Sequence, residues 1–538
     1  MKRYQKILLG LLVGALITVG GIQIYFSFFL NDHLQSILVN RFNTATDSTY
    51  TIDIGEFDLE ILGRQLNVRN VQMSTREDSV DFKFQASLDA LNVSGIGFLN
   101  LLWNRELAFR EIEVVNPSID FTATSQQNDT NHKRRLTDLS QRLSEITLQM
   151  LENVSVPRLL IRGLSATYSQ PDLPVEPYFS FRDSYILLQN LSIDSTLIKD
   201  KRILPAEDIT TVFRDIRIKT ANELYELSAN ELHFSSDTRQ MNIRSIKLTP
   251  RLNKNEFAQK AGYETDRFTV AIDEINCHQI DILKLNRGES IEAQNINITK
   301  PDINIYRDKR PPFPPNNQPP LPQQMVRNIP FPLNIDTLSI SEGNIRYSER
   351  VPKAKEAGSI TFTDLQANLY PLTNINEETN KQQSMTLTAE TNIMDQAKLQ
   401  AQFRFPGNTN QQHIKGSLQP MDMTSLNKAL VPLAFVRIED GQILGMNFNM
   451  ELTDKHASGN VMLRYENLKI SLLNKESSEE NFGNKLKSLL ANTFKVNSSN
   501  TGDDPRAGTV DFKRDSTKSV FNYWWKSLLS GLKSSIGL

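Results

Sequence analysis

Between Tyr50 and Leu472 segment after segment places apolar side chains at every second position. Met446, Phe448, Met450 and Leu452 run in step. So do Leu399, Ala401, Phe403 and Phe405, then Val461, Leu463 and Tyr465, then Ile470 and Leu472. Phe82, Phe84, Ala86 and Leu88 repeat the rhythm, and Ile52, Ile54, Phe57 and Leu59 give a looser version. Side chains of an extended chain point alternately to opposite faces, so such segments bury one face and wet the other. The intervening positions are mostly Asn, Thr, Ser, Lys, Glu and Gln. This fits antiparallel sheets and argues against the parallel sheet of a nucleotide-binding fold, whose strands are apolar on both faces. The expected fold is mainly β: an elongated, repeating antiparallel sheet, groove- or taco-like, with a few helices and an N-terminal transmembrane helix.

A loose repeat runs through the body: a short strand, one or two polar or turn residues, and a second short strand. Ile112–Phe121 is one copy, with Asn116-Pro117 in the middle. Ile296–Tyr306 is another, with Lys300-Pro301, and Ile335–Tyr347 a third, with Glu342-Gly343. Leu159–Tyr168 and Val436–Ile443 are fainter relatives. Pro or Gly at the centre suits a tight turn or bulge between hairpin-like strands. Recurrence of one such unit suggests a growing, solenoid-like sheet.

The N-terminus has another character. After Lys2, Arg3 and Lys6, the run Ile7–Leu30 is apolar, with Gln23 and Ser27 as its clearest polar interruptions. A spanning helix needs about 20 residues, whereas the core of a cleaved signal is about 7–15. The run reads as an uncleaved signal anchor. The basic flank places the N-terminus in the cytoplasm and the body in the periplasm, in a single-pass inner-membrane topology. Cys277 is the single cysteine, so no intramolecular disulfide can form. With 60 basic and 62 acidic residues and no long basic block, nucleic acid is excluded as a dedicated partner.

Several segments interrupt the alternation. Residues 122–135 are polar and read as a loop leading into a helix near 136–151, where Leu136, Leu139, Leu143, Ile146 and Met150 fall three and four apart. Pro311 to Pro332 holds nine prolines, which suits neither ordinary helix nor central strand. Residues 307–334 are therefore the expected linker between a β domain at 31–306 and a second at 335–473. A helical and polar region, 474–538, follows and ends in an amphipathic helix. There Phe521, Trp524, Trp525, Leu528, Leu529 and Leu532 form an apolar stripe among Lys518, Lys526 and Lys533. Such a stripe suits a membrane interface, a hydrophobic groove in a partner, or packing on the chain's own body.

No catalytic constellation emerges. The chain has no glycine-rich nucleotide loop, no nucleophile elbow and no zinc-binding His-Glu-x-x-His. His33, His132, His233, His278, His413 and His456 stand singly, and the acidic residues are unclustered. The expectation is a protein with no enzymatic activity, no cofactor and no metal.

The quoted elements resemble the AsmA-like superfamily of bacterial envelope proteins, and within it the DUF748-type proteins. The resemblance rests on the anchor followed by Tyr50–Asp58 and Leu66–Val71, and on Val114-Val115-Asn116-Pro117-Ser118-Ile119. Ile335–Tyr347, Gly358–Phe362 and Gly441–Tyr465 add to it. It implies repeating β units forming a long apolar groove, with phospholipid transport or outer-membrane homeostasis as the function and membrane lipids as partners. Period two is the same for an open groove and for a closed sandwich core. On the groove reading, an acyl chain gains about 0.8 kcal/mol per buried CH₂, and the candidate lining residues are Phe403, Phe405, Phe448, Met450, Val461 and Leu463. The alternative is a non-enzymatic periplasmic scaffold or assembly factor that binds another envelope protein.

Overall fold

The structure is a computed structural model. It describes residues 31–46, 50–76, 82–98, 103, 106–123, 153–169, 178–193, 206–220, 222–315, 317–352, 354–375, 384–407, 409–473 and 497–537. The described residues hold 24 strands and divide into two compact units.

The first unit opens with helix α1 (Asn31–Ala45) and strands β1 (Tyr50–Glu60), β2 (Gln65–Thr75) and β3 (Phe82–Ser94). It continues through β4 (Glu106–Ala108), β5 (Glu111–Val115), β6 (Ser118–Ala123), β7 (Asn153–Ser169), β8 (Phe179–Ile193) and β9 (Asp208–Lys219). The division falls within β10 (Tyr225–Ser235) and β11 (Gln240–Pro250). Helix α1 meets β1 through side chains: the Gln35 amide donates to the Ile54 carbonyl at 2.7 Å, and Asn31 Oδ1 accepts from Leu59 N–H at 3.2 Å.

The second unit carries helix α2 (Lys254–Ala261), β12 (Asp266–His278), helix α3 (Ile282–Asn286), β13 (Ile291–Thr299), β14 (Asp302–Asp308) and helix α4 (Pro322–Arg327). Next come β15 (Leu333–Arg350), β16 (Gly358–Tyr370), β17 (Leu372–Thr373), β18 (Met385–Ile393), β19 (Ala397–Phe405), β20 (Gln412–Leu418) and β21 (Met421–Asp422). Helix α5 (Asn427–Ala434), β22 (Val436–Leu452), β23 (His456–Leu472), β24 (Ala507–Lys513) and helix α6 (Val520–Ile536) complete it.

The sequence repeat is real as a pairing pattern, but its centre is not a turn. β5 and β6 both run antiparallel to β3 and parallel to β7. Val115 faces Arg162 and Ser118 faces Ser165, so register is kept across Asn116-Pro117. β13 and β14 do the same between antiparallel β12 and parallel β15, with Thr299 opposite Ser341 and Asp302 opposite Asn344. Each is one strand with a kink. Asn116 and Lys300 take positive φ, and the proline after each has no N–H to leave unpaired. The expected all-antiparallel sheet is thereby corrected to a mixed one.

Parallel neighbours cannot be joined by a tight turn; the chain must travel back along the sheet. In the second unit the proline-rich stretch makes this return, from the end of β14 to the start of β15. It is docked along its length. Leu321 is fully buried, Asn317 donates to the Thr517 carbonyl, and Arg514 donates to that of Pro319. Arg327 donates to the Gly407 carbonyl and to Asn410 Oδ1. A crossover outside a sheet has no ladder for its amides, and proline removes that demand. This stretch belongs to the second compact unit.

Left-handed residues also explain where the alternation slips. Along β22 the buried positions are Val436 and Ile438, then Gly441 and Ile443, then Met446, Phe448, Met450 and Leu452. Each block is one residue out of phase with the last, and the slips coincide with Gly441 and Gly445, both at positive φ. The partner strand slips at Asn467 (φ 58°), between Tyr465 and Leu468. Side chains of every phase nevertheless join one core. An inserted left-handed residue works as a bulge that returns the apolar side chain to the same face.

The membrane-crossing helix, and with it the inner-membrane placement with a periplasmic body, is corrected: among the described residues no helix is long and apolar enough to cross a membrane. Helix α1 has 15 residues, about 22 Å at 1.5 Å each, and carries Asp32, His33 and Arg41. Helix α6 has 17, with Lys526 and Lys533 among them. The run Ile7–Leu30 lies outside the described residues, as do the helix near 136–151 and residues 474–496.

Candidate functional site

Helix α6 is the element on which the sequence placed a surface role, and its three faces have different surroundings. Ser519 caps it, accepting from Asn522 N–H, and Gly537 ends it with φ 86°. One face carries Tyr523, Ser527, Gly531 and Ser535, all buried. Small residues let the helix backbone approach the sheet closely. A Cβ on Gly508 of β24 would stand 1.9 Å from the Gly531 carbonyl, and one on Gly531 would stand 2.5 Å from Val461 Cγ2.

The same contact covers the sheet edge. Thr509 N–H donates to Ser534 Oγ at 3.1 Å, and Asp511 N–H to Ser530 Oγ at 3.2 Å. Two strand residues rise about 6.8 Å and four helical residues about 6 Å, so the two spacings match. An open strand edge is a template for unwanted pairing, and here helix serines satisfy two of its donors. Asn500, buried behind them, donates to the carbonyls of Leu463 and Arg506 and accepts from Arg506 N–H.

The second face holds Trp524, Leu528 and Leu532, packed against the core of β22 and β23. The Trp524 ring lies 4.8 Å from that of Phe403, and its N–H donates to Gln412 Oε1 at 2.6 Å. Phe448, Met450, Val461 and Leu463 are buried in this core, while Phe403 packs at its margin and stacks on buried Phe405. Five of the six residues proposed to line a lipid groove therefore sit in or against the core on which α6 packs, and the sixth, Phe405, is buried. The phospholipid-transport expectation is corrected on these two findings: a closed core, and no membrane-crossing helix among the described residues.

The third face points outward. Phe521 is 70% exposed and Trp525 47%, one turn apart, with Leu529 half-buried beyond them. Phe521 rests edge-on against Trp524, with centroids 5.4 Å apart. The sequence stripe of six thus splits: Trp524, Leu528 and Leu532 serve the core, Phe521 and Trp525 face solvent, and Leu529 is half-buried.

Charge around α6 is uneven. The helix has no acidic residue. Lys518 stands over the Phe313 ring, 3.2 Å from its centroid. Burial pulls the Lys518, Lys526 and Lys533 ammonium groups below the usual lysine range; Lys526 also feels Lys533 and Lys309 against it and Glu349 in its favour. Glu349 accepts from Lys309 at 2.7 Å and from the Tyr347 hydroxyl at 2.8 Å. Burial and the Glu349 charge drive the Tyr347 hydroxyl upward. Arg307 donates twice to Asp266, at 2.6 and 2.5 Å; burial opposes its charge, and Asp266 more than restores it.

No protein-family model matches this chain, and no curated protein matches its sequence. A cleft beside α2, lined by Lys254, Phe257, Tyr263, Arg267 and Tyr306 among others, encloses about 10 Å³, room for one water. Among the described residues no group of three His, Cys, Asp or Glu could hold a metal ion. Cys277 is buried, and burial pushes its thiol up, away from the reactive thiolate. The sequence singled out both exposed aromatics of α6. It missed the serines that satisfy the β24 edge, for which small residues four apart were the available signal.

Proposed function

We propose that this protein is a non-enzymatic scaffold that binds another protein. The observation that carries the reading is the pair Phe521 and Trp525. They stand on the outer face of a helix whose other two faces are fixed to a packed sheet. Exposed aromatics on a rigid base, rimmed by polar groups, are what protein interfaces use as anchors, because little order is lost when they are covered. The kinked strand modules β5/β6 and β13/β14 are consistent with the AsmA-like resemblance, which we retain as a proposal about ancestry alone.

The test is isolation of the full chain under gentle conditions, followed by mass analysis of what comes with it. A protein partner in fixed stoichiometry, lost from the Phe521→Ser, Trp525→Ser double variant while its thermal melt is unchanged, is the expected result. A chain that is recovered alone, or a partner retained by the variant, contradicts the reading.

A further inference from the structure

We infer that the cleft beside α2 binds a carboxylate attached to an aromatic ring, with the Arg267 Nε–H and the Lys254 ammonium receiving the carboxylate and Tyr263 meeting the ring. This goes beyond the scaffold reading and uses no residue of α6.

The cleft is assembled from fixed pieces of the second unit. Asn253 Oδ1 accepts from the N–H groups of Asn255 and Glu256, and the Glu256 carboxylate accepts from Asn253 N–H, which sets the start of α2. Phe257 is buried and meets the Tyr225 ring edge-on at 5.4 Å. Gly262 ends α2 at φ 75°, and Tyr263 follows it, exposed at the rim. Arg267 of β12 stands opposite Tyr306 of β14.

Two cations line this cleft. Arg267 Nη2 donates to the Leu252 carbonyl at 3.0 Å, and the guanidinium carbon lies 5.9 Å from the centre of the Phe257 ring. Its Nε is buried and has no hydrogen-bond partner. Lys254 Nζ lies 4.3 Å from the centre of the Tyr306 ring. Asp308, the acidic residue of the lining, is already taken: it accepts from Arg310 Nε at 2.9 and 3.1 Å. Burial pulls the Arg267 guanidinium below the usual arginine range. A buried donor left unmade is costly, and more so on a charged group, so an acceptor that reaches this Nε is favoured.

The space selects among acceptors. About 10 Å³ is enclosed, room for one oxygen. A flat carboxylate can place one oxygen there and keep the other at the mouth beside Lys254. A tetrahedral phosphate is too bulky for the same entry. The walls are the rings of Phe257, Tyr263 and Tyr306, which suit a flat apolar body better than a polar one.

Ligand-observed NMR on the full chain tests this. Benzoate is the free-acid probe, benzamide its neutral counterpart and inorganic phosphate the competing anion. A short peptide ending in Phe, as free acid and as amide, carries the same chemistry on a chain terminus. Benzoate should bind on the order of tenfold tighter than benzamide, and phosphate at equal concentration should leave it bound. Arg267→Lys keeps the charge but removes the Nε–H fork, and should weaken benzoate strongly. Lys254 is exposed, so Lys254→Gln should weaken benzoate while the thermal melt stays unchanged, whatever Arg267→Lys does to folding. Displacement of benzoate by the peptide acid but not the amide supports the site with a protein terminus as the source; displacement by neither supports it with a free acid. Equal binding of benzoate and benzamide, displacement by phosphate, unchanged affinity in Lys254→Gln, or binding of no probe overturns the inference.

Discussion

The two units contain the same module, and they treat its apolar face differently. In the first, a kinked strand (β5 and β6) lies between antiparallel β3 and parallel β7. In the second, β13 and β14 lie between β12 and β15 in the same way. The first unit carries aromatic side chains across neighbouring strands: Phe84 is paired with Phe121, Phe121 with Tyr168, and Tyr168 with Phe179. Phe84 and Phe121 pack edge-on at 5.2 Å, and Tyr50 meets Phe84 at 6.1 Å. Among the described residues these rings stay half-buried. The second unit extends its module with seven further long strands and sets α6 on the last of them. Along β22 every apolar position but exposed Leu444 is then buried. The first unit also buries a smaller core, around Val156, Leu188 and Ile209; in the second, α6 packs on the larger one.

The sharpest way to break the comparison is to remove that element. Gly508→Val places side-chain carbon where the Gly531 carbonyl stands, and the clash is with backbone, which cannot swing aside. Overpacking costs about 1–3 kcal/mol and sometimes more; here the helix should lift off. Hydrogen exchange should show lost protection at Thr509 and Asp511, with β5–β7 unchanged. Retained protection at both amides would mean that α6 does not close the edge.

A smaller effect separates the two faces. Phe405 is 1% exposed, whereas Phe121 is half-buried. Phe405→Ala should cost about 3–5 kcal/mol, the usual range for a core phenylalanine. Phe121→Ala should cost clearly less, about 1–2 kcal/mol, since less area leaves water. Chemical denaturation of each variant measures both, and equal losses would show that the first face is as closed as the second.

Much of this was legible from side-chain order alone. Period two marked β3, β19, β22 and β23, and the repeated strand–Pro–strand phrase marked both kinked modules. The phrase was misread locally. Proline and glycine suit turns, but whether a chain reverses depends on its neighbours, and β3 and β7 hold β5 and β6 in line. The proline-rich stretch read as a linker for a related reason: composition reports the lack of ladder hydrogen bonds, not the docking of Leu321 and Arg327. Gly441, Gly445 and Asn467 interrupt the alternation, and no single strand shows that its phases meet in one core. At α6 the apolar stripe was plain, but spacing could not tell Trp524, which packs on Phe403, from Trp525, which faces water. That choice is made by Gly508 and the serines, which set how the helix rolls on the sheet.

The second unit's apolar strand face is packed beneath α6, and Phe521 and Trp525 stay exposed on the helix's outer side. Cysteine accessibility tests it directly, in a Cys277→Ala background with single Met450→Cys, Leu463→Cys and Trp525→Cys variants of the full chain. The account predicts slow thiol modification at positions 450 and 463, with or without phospholipid vesicles. It predicts fast modification at 525, slowed when the protein partner is bound. Fast modification at 450 and 463, suppressed by phospholipid, would contradict it and restore the open groove.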